Sequence, residues 1–153
     1  MFVSNSLIKC CFQYAGSIFF LENISLINRS ALKEFIIKLF KAKGKKLDSM
    51  TYIFCSDEYL LDINKANLKH DYYTDIITFN LSPDPNIITG EVYISIDRVR
   101  DNATELKVSL KEELHRVIFH GVLHLCGHKD KSAKDTKEMR AAEDRLLAKY
   151  LKS

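Results

Sequence analysis

The sequence predicts an α+β (α/β) fold: a small mixed sheet of about four strands packed with about five helices. Three observations carry this expectation. Short runs rich in β-branched and aromatic residues alternate with longer segments whose apolar residues recur at helical spacing. Two strand-like runs, 75–80 and 90–96, are separated by only a few residues, which pairs them antiparallel. Neither repeats nor Pro/Gly-rich linkers interrupt the 153 residues, so a single domain over 1–153 with a proper core is expected.

Residues 9–20 (KCCFQYAGSIFF) read as strand, with a turn at Gly16. From Ser30 an apolar stripe of Leu32, Phe35, Ile36, Leu39 and Phe40 marks a helix. Gly44 ends it, with lysines in the last turn where the helix dipole favours cations. Residues 50–55 form a strand by their β-branched and aromatic content. Ser56 or Asp57 can cap a short helix that turns Leu60, Leu61 and Ile63 to the core. In 75–80, Ile77 and Phe79 alternate with Ile76 and Thr78, and Pro83, Asp84, Pro85 and Asn86 make the loop before strand 90–96. A helix covers 97–106. Ser109 opens the next, with Glu112 completing a capping box. Ser132 and Asp135 offer a weaker box to the last helix, whose Met139, Ala142, Leu146 and Tyr150 form a core stripe.

Composition narrows the function. A hydrophobic share of 46% with 28% charged residues suits an ordinary soluble globule, and a net charge of +3 excludes indiscriminate coating of nucleic acid. Contact with RNA then needs local clusters of cations. Lys41, Lys43, Lys45 and Lys46 form one, read as solvated surface; Lys129, Lys131, Lys134 and Lys137 form another. The cysteines (Cys10, Cys11, Cys55 and Cys126) make no C-x-x-C pair, and the first three sit among apolar residues, as buried thiols of a reducing compartment do. With no basic leader and no run long enough to span a membrane, a cytoplasmic protein without a membrane partner is expected.

The chemistry lies in His120-Gly-Val-Leu-His124-Leu-Cys-Gly127-His-Lys-Asp130. Histidines four apart share one side of a helix. Gly127 can end that helix in a left-handed turn, so Asp130 can double back to the same point. Three protein ligands with a vacant position are the layout of a catalytic rather than structural metal site. Zinc is the expected ion, one per chain, although this donor set also suits nickel, iron or manganese. His128 is a rival third ligand and Cys126 a weaker one. Gly121 stands where zinc peptidases of the H-E-x-x-H type carry their general base, which argues against peptide hydrolysis.

This segment resembles the YbeY family of metal-dependent endoribonucleases, whose signature is H-G-x-L-H-L-x-G-Y-D-H. Residues from His120 to Gly127 match its first eight positions. Thr74-Asp-Ile-Ile-Thr-Phe79 is similar to the family's T-D-V-L-S-F strand, and the likeness continues through Gly90-Glu-Val-Tyr-Ile-Ser95 and through Glu138, Met139 and Glu143. It covers about the C-terminal half. Where the family has Y-D-H this chain has His128-Lys129-Asp130, so the resemblance puts the third ligand on Asp130, a carboxylate in place of an imidazole. The family's arginine ahead of T-D falls on Leu68, leaving Lys69 or His70 to supply positive charge. Arg116, one turn before His120, either meets a phosphate or pairs with Glu112 or Glu143; His115 points elsewhere and reads as surface. The resemblance implies a zinc-dependent, single-strand-specific endoribonuclease. It would act in 3′-end maturation of ribosomal RNA and in ribosome quality control, with the small ribosomal subunit as partner and no DNA substrate. The alternative is a non-catalytic ribosome-assembly factor with a structural metal.

Overall fold

The computed structural model of the protein describes residues 17–21, 26 and 28–152. Along them run β1 (Ser17–Leu21), α1 (Arg29–Ala42), β2 (Lys46–Cys55), α2 (Asp57–Ile63), β3 (Ile76–Asn80), β4 (Ile87–Ser95), α3 (Ile96–Leu106), α4 (Leu110–Leu125) and α5 (Ala133–Leu151). One turn of π-helix, Asn64–Leu68, prolongs α2. The sheet is mixed, in the order β1-β2-β4-β3. β2 pairs parallel with β1 and with β4, while β3 runs antiparallel to β4, with Ile76 opposite Ile94 and Asn80 opposite Gly90. This is the α+β fold with a four-stranded sheet and five α-helices. Residues 9–16 of the first expected strand, with Cys10 and Cys11, lie outside the described residues.

Strand alternation selects the covered face. Along β2 the side chains of Leu47, Met50, Tyr52 and Phe54 are buried, and along β4 those of Ile88, Val92 and Ile94. Helix α1 closes over β2 with Leu32, Ile36 and Phe40, and α4 closes over β3 and β4 with Ile118 and Val122 among its buried residues, while its Phe119 packs on Phe35 of α1 and Tyr150 of α5. Removing a large apolar side chain of this kind from water stabilises the fold by roughly 1.5–3 kcal/mol. Burial also pushes the Tyr52 hydroxyl far above its ordinary pKa and raises the half-buried Cys55 thiol to about 11, which disfavours its thiolate.

The strands start earlier than their composition suggests: β2 at Lys46 and β4 at Ile87, because Lys46 and Leu47 pair with Ile87 and Ile88. Serines open four of the helices. Ser56, Ser95, Ser109 and Ser132 each accept a backbone N–H three residues on. Only Ser132 has the reciprocal bond, from its own N–H to Asp135. The expected order of the two boxes is therefore reversed, and Glu112 turns instead toward Arg116. In α2 only Leu60 of the three expected core residues is fully buried.

His115 corrects a second expectation. It is only 2% exposed, because the C-terminal turn of α5 lies over that side of α4. Its ring stacks on Tyr150 with centroids 4.9 Å apart, and Nδ1–H donates to the Lys111 carbonyl at 2.6 Å.

Gly121 sets how closely α4 approaches the sheet. A Cβ there would lie 3.0 Å from Ile76 Cδ1, 3.3 Å from Val92 Cγ1 and 3.4 Å from Thr78 Oγ1. A side chain at this position would push Ile76, Val92 and Thr78 back by a few tenths of an ångström, so packing favours glycine here over the glutamate of the peptidases.

Two outcomes follow from these contacts. Gly121→Val overfills the helix–sheet contact and costs about 1–3 kcal/mol, read as a lower urea midpoint with an unchanged slope. Burial lowers the pKa of His115 in the folded state, so below its ordinary value of about 6.5 the unfolded chain binds more protons. Stability is full above that value and falls as the pH drops from it towards the lowered folded pKa. His115→Phe should flatten this part of the stability–pH curve, measured by urea unfolding between about pH 7.5 and 5.

Candidate metal centre

The last turn of α4 and the chain reversal after it bring three side chains together. Gly127 adopts φ +94, which only glycine takes without strain. Its N–H reaches the His124 carbonyl at 2.9 Å, and the His128 N–H reaches that of Leu123 at 3.0 Å, a Schellman closure. Thr136 at the start of α5 then donates its hydroxyl to the Asp130 carbonyl at 2.9 Å. As a result Asp130 Oδ2 lies 3.3 Å from His124 Nε2 and 3.7 Å from His120 Nε2, and the two Nε2 atoms are 2.9 Å apart.

Those three separations average about 3.3 Å, the edge of a tetrahedron whose corners lie about 2.0–2.1 Å from a central zinc. The outer ring nitrogens fix the protons. His120 Nδ1 is 2.6 Å from Glu143 Oε1, and His124 Nδ1 is 3.1 Å from the His128 carbonyl. A carbonyl and a carboxylate only accept, so each Nδ1 carries the hydrogen. In the neutral rings both Nε2 lone pairs then face one another and a carboxylate oxygen. A shared cation resolves that repulsion, and the partners on Nδ1 are those that orient metal-bound histidines. The donor set fits a divalent metal. His120, His124 and Asp130 are also the one such group found among the described residues.

Glu143 is the residue the sequence reading did not connect to His120. It lies four residues after Met139 on the buried stripe of α5, which is the signal that marks it, and its side chain is 3% exposed. Arg116 holds the same carboxylate from the other side. Its guanidinium contacts Asp144 at 2.6 Å, Glu113 at 3.5 Å, Glu143 at 3.7 Å and Glu112 at 4.0 Å. Burial works against the charge on Arg116, but the Asp144 hydrogen bond and the surrounding carboxylates outweigh it and raise its pKa. Burial likewise raises the pKa of Glu113, opposed by Arg116. The ion-pair geometry weighed for Arg116 is the one found.

Two cavities meet at the trio. One, of about 370 Å³, is lined by Arg116, Arg140 and an excess of acids including Asp75, Glu105, Glu113 and Glu143. The other, of about 720 Å³, opens between the trio and the segment after the π-turn. His70 lies on its rim, with Leu68, Tyr72, Lys45 and Lys131. Lys45 thus belongs to the site, although its cluster reads as plain surface in the sequence. The rival ligands point elsewhere. His128 directs Nε2 at Lys43 Nζ, 3.4 Å away, and contributes only its carbonyl to His124. Cys126 caps α4, half-buried, with burial raising its thiol pKa.

A small mixed sheet carrying a helix with two histidines and a carboxylate beyond its turn is the layout of a protein whose three donors could hold a metal ion. Residues 21–151 match the family model described as Endoribonuclease YbeY, and the chain belongs to the YbeY family. A relative from Porphyromonas gingivalis, named endoribonuclease YbeY, is 48% identical over 131 residues, 84% of this chain and 86% of its own. One from Parabacteroides distasonis, with the same name, is 45% identical over 132 residues, 85% of this chain and 92% of its own. A solution structure from Thermotoga maritima superposes with a TM-score of 0.61 at 25% identity, covering 88% of each chain.

The geometry orders three substitutions by their effect on metal. Asp130→Ala should abolish stoichiometric zinc binding, Glu143→Ala should weaken it about 10–100-fold, and His128→Ala should leave it unchanged. Metal content after dialysis and competition titration against a chelating dye would check all three.

Proposed function

We propose that this protein is a zinc-dependent endoribonuclease specific for single strands. It matures the 3′ end of ribosomal RNA and serves ribosome quality control, working with the small ribosomal subunit in the cytoplasm, and the whole chain acts as one metallohydrolase domain. The observation that carries the reading is the meeting of two imidazole Nε2 atoms and a carboxylate oxygen, 2.9–3.7 Å apart, at the edge of an open cavity. The relatives' name, endoribonuclease, supplies the substrate class.

His120, His124 and Asp130 would hold the ion, leaving a fourth position for water or substrate. When bound, a divalent cation supplies Lewis-acid activation of water and of a phosphoryl oxygen. The protein's own groups do the rest. Glu143 keeps the proton of His120 on Nδ1, and Arg116 acts through Glu143 rather than on a phosphate, since its guanidinium is 15% exposed and is ringed by four carboxylates within 4.0 Å. His70, Lys45 and Lys131 face the cavity and offer positive charge to the strand, so binding weakens with salt.

His124→Ala should lose both the bound metal and the cleavage of single-stranded RNA, followed on a labelled oligonucleotide by gel. Undiminished cleavage by the metal-free variant overturns the reading. A wild-type protein that holds zinc and cuts no RNA would instead favour an assembly factor with a structural metal.

A further inference from the structure

The segment after the π-turn is built more firmly than a connecting loop requires. Asn64 is 2% exposed and donates Nδ2–H to the Tyr72 carbonyl at 2.9 Å, while Lys65 pairs with Asp71 at 2.8 Å. The ring of Tyr72 stacks on that of His70, with centroids 5.1 Å apart and planes inclined by 21°. The Tyr72 hydroxyl lies 3.1 Å from His70 Nδ1, so the two rings hold one another in place. Despite this fixing, Tyr72 is 57% exposed, and both rings line the cavity that contains His120, His124 and Asp130. An exposed aromatic residue fixed by two partners, Asn64 and His70, keeps a π-face in water for which nothing in the fold has a use. The tyrosines most exposed among the described residues are Tyr59, Tyr72 and Tyr73, and of these only Tyr72 lines that cavity.

We infer that Tyr72, backed by His70, is a stacking platform for one unpaired nucleobase of the strand whose phosphate lies at the metal trio. This rests on the ribonuclease reading and assigns it a specificity residue. The physics favours a base over a peptide side chain. A stacking surface of this kind takes any base by its face, and Lys45 and Lys131 on the same cavity suit a phosphate backbone. Because the rings are already ordered, little conformational entropy is lost on binding. A base inside a duplex has both faces covered by its neighbours, so the platform also discriminates against paired strands.

The test uses the absence of tryptophan from the chain. Tyr72→Trp keeps a stacking ring and installs a single fluorescent reporter. Titration of the metal-loaded variant with 2′-O-methyl oligo(U), checked for intactness on a gel, should quench that fluorescence saturably, and the same strand annealed to its complement should not. Tyr72→Ala should bind the oligonucleotide at least about five-fold more weakly by anisotropy, the low end of what one stacked base contributes. Tyr59→Ala, altered on α2 away from the cavity, should bind as the wild type does. Unchanged fluorescence at saturating RNA, equal affinity of Tyr72→Ala and wild type, or quenching by duplex and single strand alike each overturn the platform. Cleavage is measured beside binding. If the wild type cuts RNA and Tyr72→Ala cuts it with the same KM, the platform falls and the ribonuclease reading stands. If the wild type neither binds nor cuts RNA, both fall.

Discussion

The hydrogen bond between His120 Nδ1 and Glu143 Oε1, 2.6 Å long, is the contact on which the site depends. It joins α4 to α5 and fixes which nitrogen of His120 is bare. The His128 carbonyl does the same for His124 from the turn that ends α4. Neither ring needs to change tautomer or swing to present a lone pair, and so the donor atoms are organised before any ion arrives. Arg116 completes the arrangement by compensating the buried charge of Glu143 and Glu113, which would be costly to leave alone. Removing Arg116 would take from buried Glu113 its ion pair at 3.5 Å and leave Glu143 with Arg140, 3.4 Å away, and His120.

The third member of the trio is anchored differently from the first two. His120 and His124 sit on a helix whose position is set by Gly121 against the sheet, whereas Asp130 hangs from the turn and is 41% exposed at its side chain. A carboxylate there adds one negative charge to the site relative to an imidazole. It also has two oxygens to offer and a shorter reach, so it depends on the tightness of the Gly127 turn and on the tie from Thr136.

The sequence is legible wherever the determining contacts are local. The serines that open helices, the glycines that close α1 and α4, the antiparallel pairing of β3 with β4 and the histidine pair all depend on residues a few places apart. Reading failed where distant segments decide. His115 looks like surface on the wheel of α4 because the covering ring, Tyr150, comes 35 positions later from α5. Glu143 was visible as a salt-bridge partner for Arg116, but its bond to His120 spans 23 positions. The π-turn is not announced by its local pattern, and its first residue, Asn64, bonds to the carbonyl of Tyr72 eight positions on. Even the order of the two capping boxes was decided by a neighbour, since Arg116 draws Glu112 away from Ser109.

The carboxylates gathered around Arg116 also give the crevice a polarity. On the α3 side the wall carries Asp75, Glu105, Glu113 and Glu143 against two arginines, while the opposite wall carries Lys45 and Lys131. A polyanion approaching from the acidic flank meets repulsion, whereas one threading past the lysines is drawn in. The trio is accordingly flanked unevenly, with acids predominant in the smaller cavity and two lysines on the larger one.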